Sequence, residues 1–372
     1  MDDRVLNDFI ELVSLPAKSG DERQVADRIK DKLLALGLEV SEDRVFEKIG
    51  GNTGNVFAVL KGDSRLPAVL LSSHMDRVPN NGHIRPQIDA KEGVLRADGK
   101  TILAADDVAG LCAILETLRR LKAEGKPHGD VEVLLTVSEE AGLFGSKEAD
   151  YSGFKAKIGF VPDCPGRVGK VVNQAPSGVN FEITINGLPA HAGNEPEKGI
   201  DAIKVVATAL VNLPTGRLSP TMTSNFGVIQ GGKVVNVVCA RVTLLGEARS
   251  TDEVELDTYI EKVKTVFADT AQAFGATVEV KVEKNYPTYQ VAEDSVVIRA
   301  LKVGFEAEGI PCTCMRSGGG SDANWFNQYG IESVPVAVGY FENHTTQEHV
   351  YVEDISACAR VMARAIQHFG EN

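Results

Sequence analysis

The sequence predicts an α/β protein in which a mostly parallel mixed sheet lies between helices and a second, smaller unit is inserted into the larger one. Three observations predict it. Short apolar runs alternate with helical periodicities at the start, the pattern switches near residue 172 to strands with one wet face, and the first pattern resumes near residue 285. A length of 372 residues suits two domains at roughly 150 residues each. The expected division is 1–171 and 285–372 for the larger domain and 172–284 for the insertion.

Residues 3–13 and 21–36 read as helices. Apolar, β-branched runs bounded by turn formers follow at 54–60, 67–73, 131–137 and 157–162, and these read as buried strands. Val108, Leu111, Cys112, Leu115 and Leu118 recur at helical spacing before a stop at Gly125 to Pro127, which marks a core-facing helix. In the insertion Val179, Phe181, Ile183 and Ile185 alternate with polar residues, giving a half-buried strand. A helix at 199–212, strands at 223–230 and 241–249, a helix opened by Ser250 and Glu253 in capping-box spacing, and a strand through Val278, Val280 and Val282 complete it. The order β-α-β-β-α-β is that of a ferredoxin-like unit. A helix at 293–308, a Gly-rich turn at 318–320, a strand at 333–339 and a helix at 353–368 close the chain.

Composition narrows the function. A net charge of −13 opposes binding to phosphate backbones and anionic lipid, so neither nucleic acid nor a membrane is expected as a partner. Six scattered cysteines suggest neither a disulfide framework nor a thiolate metal site. The N-terminus has no signal-peptide pattern, and no run approaches about 18 apolar residues; a cytoplasmic location is the expectation.

The informative charges follow the buried strands. The run PAVLLSS leads into His74 and Asp76, VEVLLTV into Glu139 and Glu140, KIGFVP into Asp163, and VPVAVGY into a loop bearing His344, while Asp106 and Asp107 open a helix. Ligands gather beyond the carboxyl ends of strands in open α/β sheets, so these side chains are expected to converge. Singly, each has an ordinary reading: a surface His-Asp pair, a solvated Glu-Glu loop, an N-cap. Together they describe imidazoles and carboxylates without thiolate, a donor set for zinc, cobalt or manganese. A ligand carboxylate cannot also carry protons, so Glu139 and Glu140 divide those tasks, and Asp76 is placed to orient the His74 ring.

These motifs, in this order over nearly the whole chain, resemble the di-zinc metallopeptidases that include peptidase T, carboxypeptidase G and the aminoacylases. The residues carrying the resemblance are His74-x-Asp76, Ala105-Asp106-Asp107, Glu139-Glu140, Asp163, Gly319-Gly320-Ser321-Asp322 and His344-Thr-Thr-Gln-Glu348. The resemblance implies two divalent ions, one held by His74 and Asp163, the other by Glu140 and His344, with Asp106 bridging. It implies Glu139 as the general base, a cis peptide between Asp106 and Asp107, and an inserted lid that joins two chains into a dimer. His191 matches a lid histidine that stabilises the oxyanion, and Asn236 and Arg249 match lid residues that hold the substrate. The turn at Gly319 and Gly320 either presents backbone N–H groups to substrate or only connects two segments. Likewise His191 has the alternative of a turn histidine, and Arg249 that of a partner to a local acid.

The chain departs from peptidase T itself, which carries a lysine where Val108 stands and an arginine where Gly318 stands, Arg316 lying two residues earlier. The expectation is therefore a peptidase T-like, metal-dependent exopeptidase acting on short peptides, in the manner of an aminotripeptidase. An amidohydrolase of N-acyl or N-carbamoyl amino acids, or a carboxypeptidase, would use the same site. A non-catalytic peptide-binding protein is the alternative from another class.

Overall fold

A computed structural model describes residues 3–80 and 82–371. The chain separates into two compact units, one made of the described residues up to Gln174, Gln290–Ser317 and those from Ser321 onward, the other of Ala175–Tyr289 with Gly318–Gly320.

The larger unit is built on a nine-stranded mixed sheet. Its centre is parallel: Val131–Thr136, Val69–His74, Ile158–Cys164 and Glu332–Ala337 lie side by side in that order. Every residue of Val69–His74 and Val131–Thr136 is buried, as expected of strands covered on both faces. Antiparallel strands flank this centre, with Val56–Leu60 beside Val131–Thr136 and Glu39–Glu42 outside it, and Lys170–Ala175 beside Glu332–Ala337. The short polar strands Glu39–Glu42 and Thr313–Arg316 escape a reading based on apolar runs, because edge strands need little burial.

The helix Ala105–Glu124 packs on Val69–His74 and Ile158–Cys164, and its other face meets the C-terminal helix Val352–His368. With most of its circumference buried it belongs to the core, and Gly125 ends it in a left-handed C-cap that donates to the Leu121 carbonyl. Close contact between this helix and the sheet depends on Gly110. A Cβ there would collide with the Pro162 carbonyl and the Asp107 carboxylate.

A four-stranded antiparallel sheet, not anticipated from the sequence, orders Tyr340–Phe341, His349–Tyr351, Val94–Arg96 and Gln87–Asp89. Pairing of Tyr340 with Val350 and of Phe341 with His349 closes the intervening loop, which carries His344. Glu342 and His344 adopt positive φ within it, and the Thr345 hydroxyl donates to the Glu342 carbonyl while accepting from the Gln347 N–H.

In the smaller unit five antiparallel strands run in the order Gly216–Arg217, Met222–Gly231, Arg241–Ser250, Ser177–Asn186, Thr277–Tyr286. Val179, Phe181, Ile183 and Ile185 form one core with Val205 and Val206 of helix Ala202–Asn212 and Tyr259, Val263 and Phe267 of helix Glu253–Phe274. The expected Ser250 and Glu253 capping pair does not form. The strand continues to Ser250, and Asp252 caps the helix by accepting from the Val254 and Glu255 N–H groups. Among the described residues no helix is long and apolar enough to cross a membrane.

Candidate metal centre

His74 is the last residue of its strand and is fully enclosed. Its Nε2 lies 3.1 Å from Asp106 Oδ1 and 3.9 Å from Asp163 Oδ1. His344 approaches the same aspartate from the opposite loop, with Nε2 at 3.3 Å from Asp106 Oδ2 and 2.8 Å from Glu140 Oε1. One carboxylate therefore touches two imidazoles, one through each oxygen. The donors form two overlapping groups, His74 with Asp106 and Asp163, and Asp106 with Glu140 and His344, each within 4.8 Å.

Asp106 does not sit in a regular helical turn. It has φ −82° and ψ 103°, Asp107 is also non-helical, Ala104 before them is left-handed, and the Asp106 to Asp107 peptide is cis. Glu348 holds this irregular segment: its Oε2 accepts from the N–H groups of Leu103 and Ala104 at 2.8 Å each, and its Oε1 from that of Asp106 at 3.1 Å. Asp107 turns away and accepts from the Ser73 hydroxyl at 2.6 Å and the Gly110 N–H at 3.0 Å.

Asp76 departs in part from its expected role. The atom nearest His74 Nδ1 is the Asp76 main-chain oxygen at 2.9 Å, with the carboxylate at 3.5 Å. The carboxylate instead accepts from the Ser19 hydroxyl at 2.6 Å and from the backbone N–H groups of Glu139 and Glu140 at 2.9 and 3.2 Å. It orients the loop of the two glutamates as well as the ring.

The electrostatics of this pocket are those of a cation site. Burial, then the charge of Asp106, pushes the Asp163 carboxyl well above the usual range. Burial also raises Glu139, with His74 opposing and Asp163 and Asp322 adding to the rise. Hydrogen bonds that the His344 ring donates to Asp106 and Glu140 raise its pKa to about 10. Several buried carboxylates offset only by two imidazoles gain most from divalent cations, so the residues fit two such ions. Glu139 belongs to neither donor group.

Residues that sequence reasoning gave no role complete the site. Tyr340 donates to Asp163 Oδ1 at 3.1 Å, and Asn343 Nδ2 donates to Asp106 Oδ2 at 2.6 Å. Asp322 accepts from the hydroxyls of Thr136 and Ser146, both at 2.5 Å, and so ties the two ends of the loop that carries Glu139 and Glu140. Position next to His344 was a signal for Asn343; nothing local marks Tyr340.

The remaining candidates lie in the smaller unit. His191 is exposed, and its Nδ1 accepts from the N–H groups of Gly193 and Asn194 at 3.1 and 3.2 Å, which puts the proton of a neutral ring on Nε2. Its neighbour Ala192 donates to the main-chain oxygen of Asn236 at 3.0 Å, so His191 and Asn236 share one corner of that unit. Arg249 pairs with Glu247 at 2.8 Å and reaches the Gly318 carbonyl at 3.5 Å. Gly319 lies against the Arg249 guanidinium, and a Cβ on Gly320 would press into the Tyr286 ring.

Comparison with known proteins places the whole chain among peptidases. An uncharacterized protein of Bacillus subtilis, YqjE, is 37% identical over 365 residues, covering 98% of each chain. The crystal structure of aminopeptidase PepT from Bacillus cereus matches with a TM-score of 0.90 at 36% identity, covering 99% of this chain and 98% of that one. A tripeptidase from Staphylococcus aureus matches with a TM-score of 0.95 at 33% identity, covering 100% and 99%. The family model for peptidases of family M20/M25/M40 matches residues 70–368, and the chain belongs to that peptidase family.

Proposed function

We propose that this protein is a two-metal exopeptidase that hydrolyses short peptides, in the manner of an aminotripeptidase. The observation that carries it is Asp106, whose two carboxylate oxygens face His74 and His344 separately. His74 and Asp163 would hold one divalent ion, Glu140 and His344 the other, and Asp106 both, with zinc favoured by the donor types and cobalt or manganese compatible. Bound there, such ions supply Lewis acidity toward a carbonyl and lower the pKa of a shared water.

Glu139 takes a proton from the attacking water and returns it to the leaving amine. A carboxyl raised by burial suits this double duty, since it must both gain and lose a proton near neutral pH. Asp76 and Glu348 orient the groups that do the work, through the N–H bonds of Glu139, Glu140 and Asp106. For the smaller unit we propose a ferredoxin-like lid that also pairs two chains. His191 Nε2–H is a donor for a developing oxyanion, and Asn236, Arg249 and the N–H groups of Gly319 and Gly320 are donors for the substrate. A cytoplasmic peptide pool is the proposed source of substrate.

The two solved relatives, an aminopeptidase and a tripeptidase, support the exopeptidase reading over the acyl amino acid one. The test is a panel of tripeptides, dipeptides and N-acyl and N-carbamoyl amino acids, assayed with and without a chelator. Release of the N-terminal residue from tripeptides, lost on chelation, is expected; turnover of acyl substrates alone would refute the proposal.

A further inference from the structure

The strand Val131–Thr136 runs out into four residues whose backbone N–H groups are each held by a side chain from another part of the larger unit. Asn55 Oδ1 accepts from Val137 at 3.1 Å, Glu22 Oε1 from Ser138 at 3.1 Å, and the two oxygens of Asp76 from Glu139 and Glu140. Ser138 is the turning point, with a left-handed φ of 53° that a residue bearing a side chain rarely adopts. Beyond it the chain leaves the direction of the strand.

Glu22 is the unexpected member of this set. It precedes the helix Arg23–Ala35, is 0% exposed, and makes no ion pair among the described residues. Oε1 accepts three neutral donors, the Gly20 N–H at 2.8 Å, the Ser138 N–H at 3.1 Å and the Ser138 hydroxyl at 3.3 Å. Oε2 is buried without a hydrogen-bond partner. A buried carboxyl without a cation is costly, and burial, with the charge of Asp76 adding, pushes its pKa up. Nothing in the metal centre uses Glu22 as a ligand or proton carrier. It holds the turn at Gly20 and grips both the N–H and the O–H of Ser138.

We propose that Glu22 is a positioning residue for Glu139, holding Ser138 in its left-handed conformation so that the Glu139 carboxylate points into the metal centre. This rests on the reading of Glu139 as the proton carrier. Without the grip, Ser138 relaxes toward the common negative-φ basins and Glu139 swings away, while His74, Asp106 and Asp163 stay where the strands and helix put them and Glu140 stays held by Asp76 and His344.

The test uses the full-length, zinc-loaded protein with Glu22→Gln and Glu22→Leu. Glutamine keeps the Oε1 acceptor, so kcat is expected within about threefold of the parent. Leucine removes it, and kcat is expected to fall about 10- to 100-fold with KM within about twofold and metal stoichiometry unchanged, the scale of losing a supporting partner. Hydrogen exchange of the 137–145 segment in the metal-free protein is expected to quicken in Glu22→Leu and not in Glu22→Gln. Should Glu22→Leu fail to fold, Ser138→Val, whose branched side chain disfavours the left-handed conformation and removes the hydroxyl that Glu22 accepts from, is expected to show the same selective kcat loss. Parental kcat and exchange in folded Glu22→Leu, or joint loss of kcat and metal, would overturn the proposal. An inactive parent would instead count against the proton-carrier reading, and the exchange comparison would still decide whether Glu22 holds the loop.

Discussion

The Asp76 carboxylate receives the backbone N–H of Glu139 at 2.9 Å, which links the ends of two neighbouring parallel strands through one acid. The same group takes the Glu140 N–H at 3.2 Å. Asp76→Asn puts an NH2 against one of these donors. We expect kcat to fall about 10- to 100-fold, with weaker metal retention, because Glu140 and His74 both depend on this residue. Steady-state kinetics with metal analysis checks it, and a parental kcat would contradict the assignment.

Glu139→Gln removes the proton acceptor and leaves both donor groups intact. The expected result is a kcat loss of about 10²- to 10⁴-fold with KM and metal content nearly unchanged. Loss of metal in this variant would show that Glu139 is a ligand.

Protons compete with cations at His344, whose pKa in the metal-free fold is raised to about 10 by Asp106 and Glu140. A raised histidine stabilises the fold fully below its unfolded value of about 6.5, and that contribution disappears as pH rises through the folded value. Cation uptake takes the proton's place, so binding between these limits is expected to release protons and to tighten as pH rises. Calorimetric titration of the metal-free protein with zinc, in buffers of different ionisation enthalpy, measures the number released; zero would exclude this coupling.

Glu348 is 1% exposed and satisfies three main-chain donors of the segment that carries Asp106. In Glu348→Gln at least one N–H meets an NH2 instead of an oxygen. A destabilisation of about 1 to 3 kcal/mol is expected, read as a lower melting temperature, together with weaker metal binding as Asp106 shifts.

Acid sensitivity is expected at Glu42, which accepts from Arg23 at 2.6 and 2.9 Å, Lys30 at 2.6 Å, Thr53 at 2.8 Å and the Gly54 N–H at 3.1 Å. Burial opposes ionisation there, but Arg23 and Lys30 outweigh it and hold the pKa well below the carboxylate range. A depressed carboxylate adds stability above its unfolded pKa of about 4.3 and loses it as pH falls. Glu42→Gln should be less stable by about 1 to 3 kcal/mol at pH 7, with the gap to the parent narrowing by pH 3 in urea titrations.

What could be read in advance follows physical lines. Val69–His74 and Val131–Thr136 were legible because a strand covered on both faces must be apolar throughout, and the chemistry beyond them because ligands collect at strand ends. Thr313–Arg316 and the helix Asp322–Gln328 were not, since one lies at an edge and the other is only 7 residues long. Glu22 and Asn55 serve as acceptors for groups distant in sequence, and no local pattern marks such a residue; Asp322 and Glu348 stand in recognisable motifs, but their role as acceptors for distant groups is set by the fold. At Ser250 the capping-box spacing pointed two residues too early, because the preceding strand runs through Ser250 and leaves Asp252 to cap the helix.

Gly110 faces the carbonyl of Pro162, the residue before Asp163, and lies on the helix that begins around Asp106. The gauge of the proposed first metal position is therefore set by a hydrogen atom: a methyl at residue 110 would wedge the helix from the strand and draw Asp106 away from Asp163. Tuning this centre toward larger cations would begin at that glycine, with every ligand left unchanged.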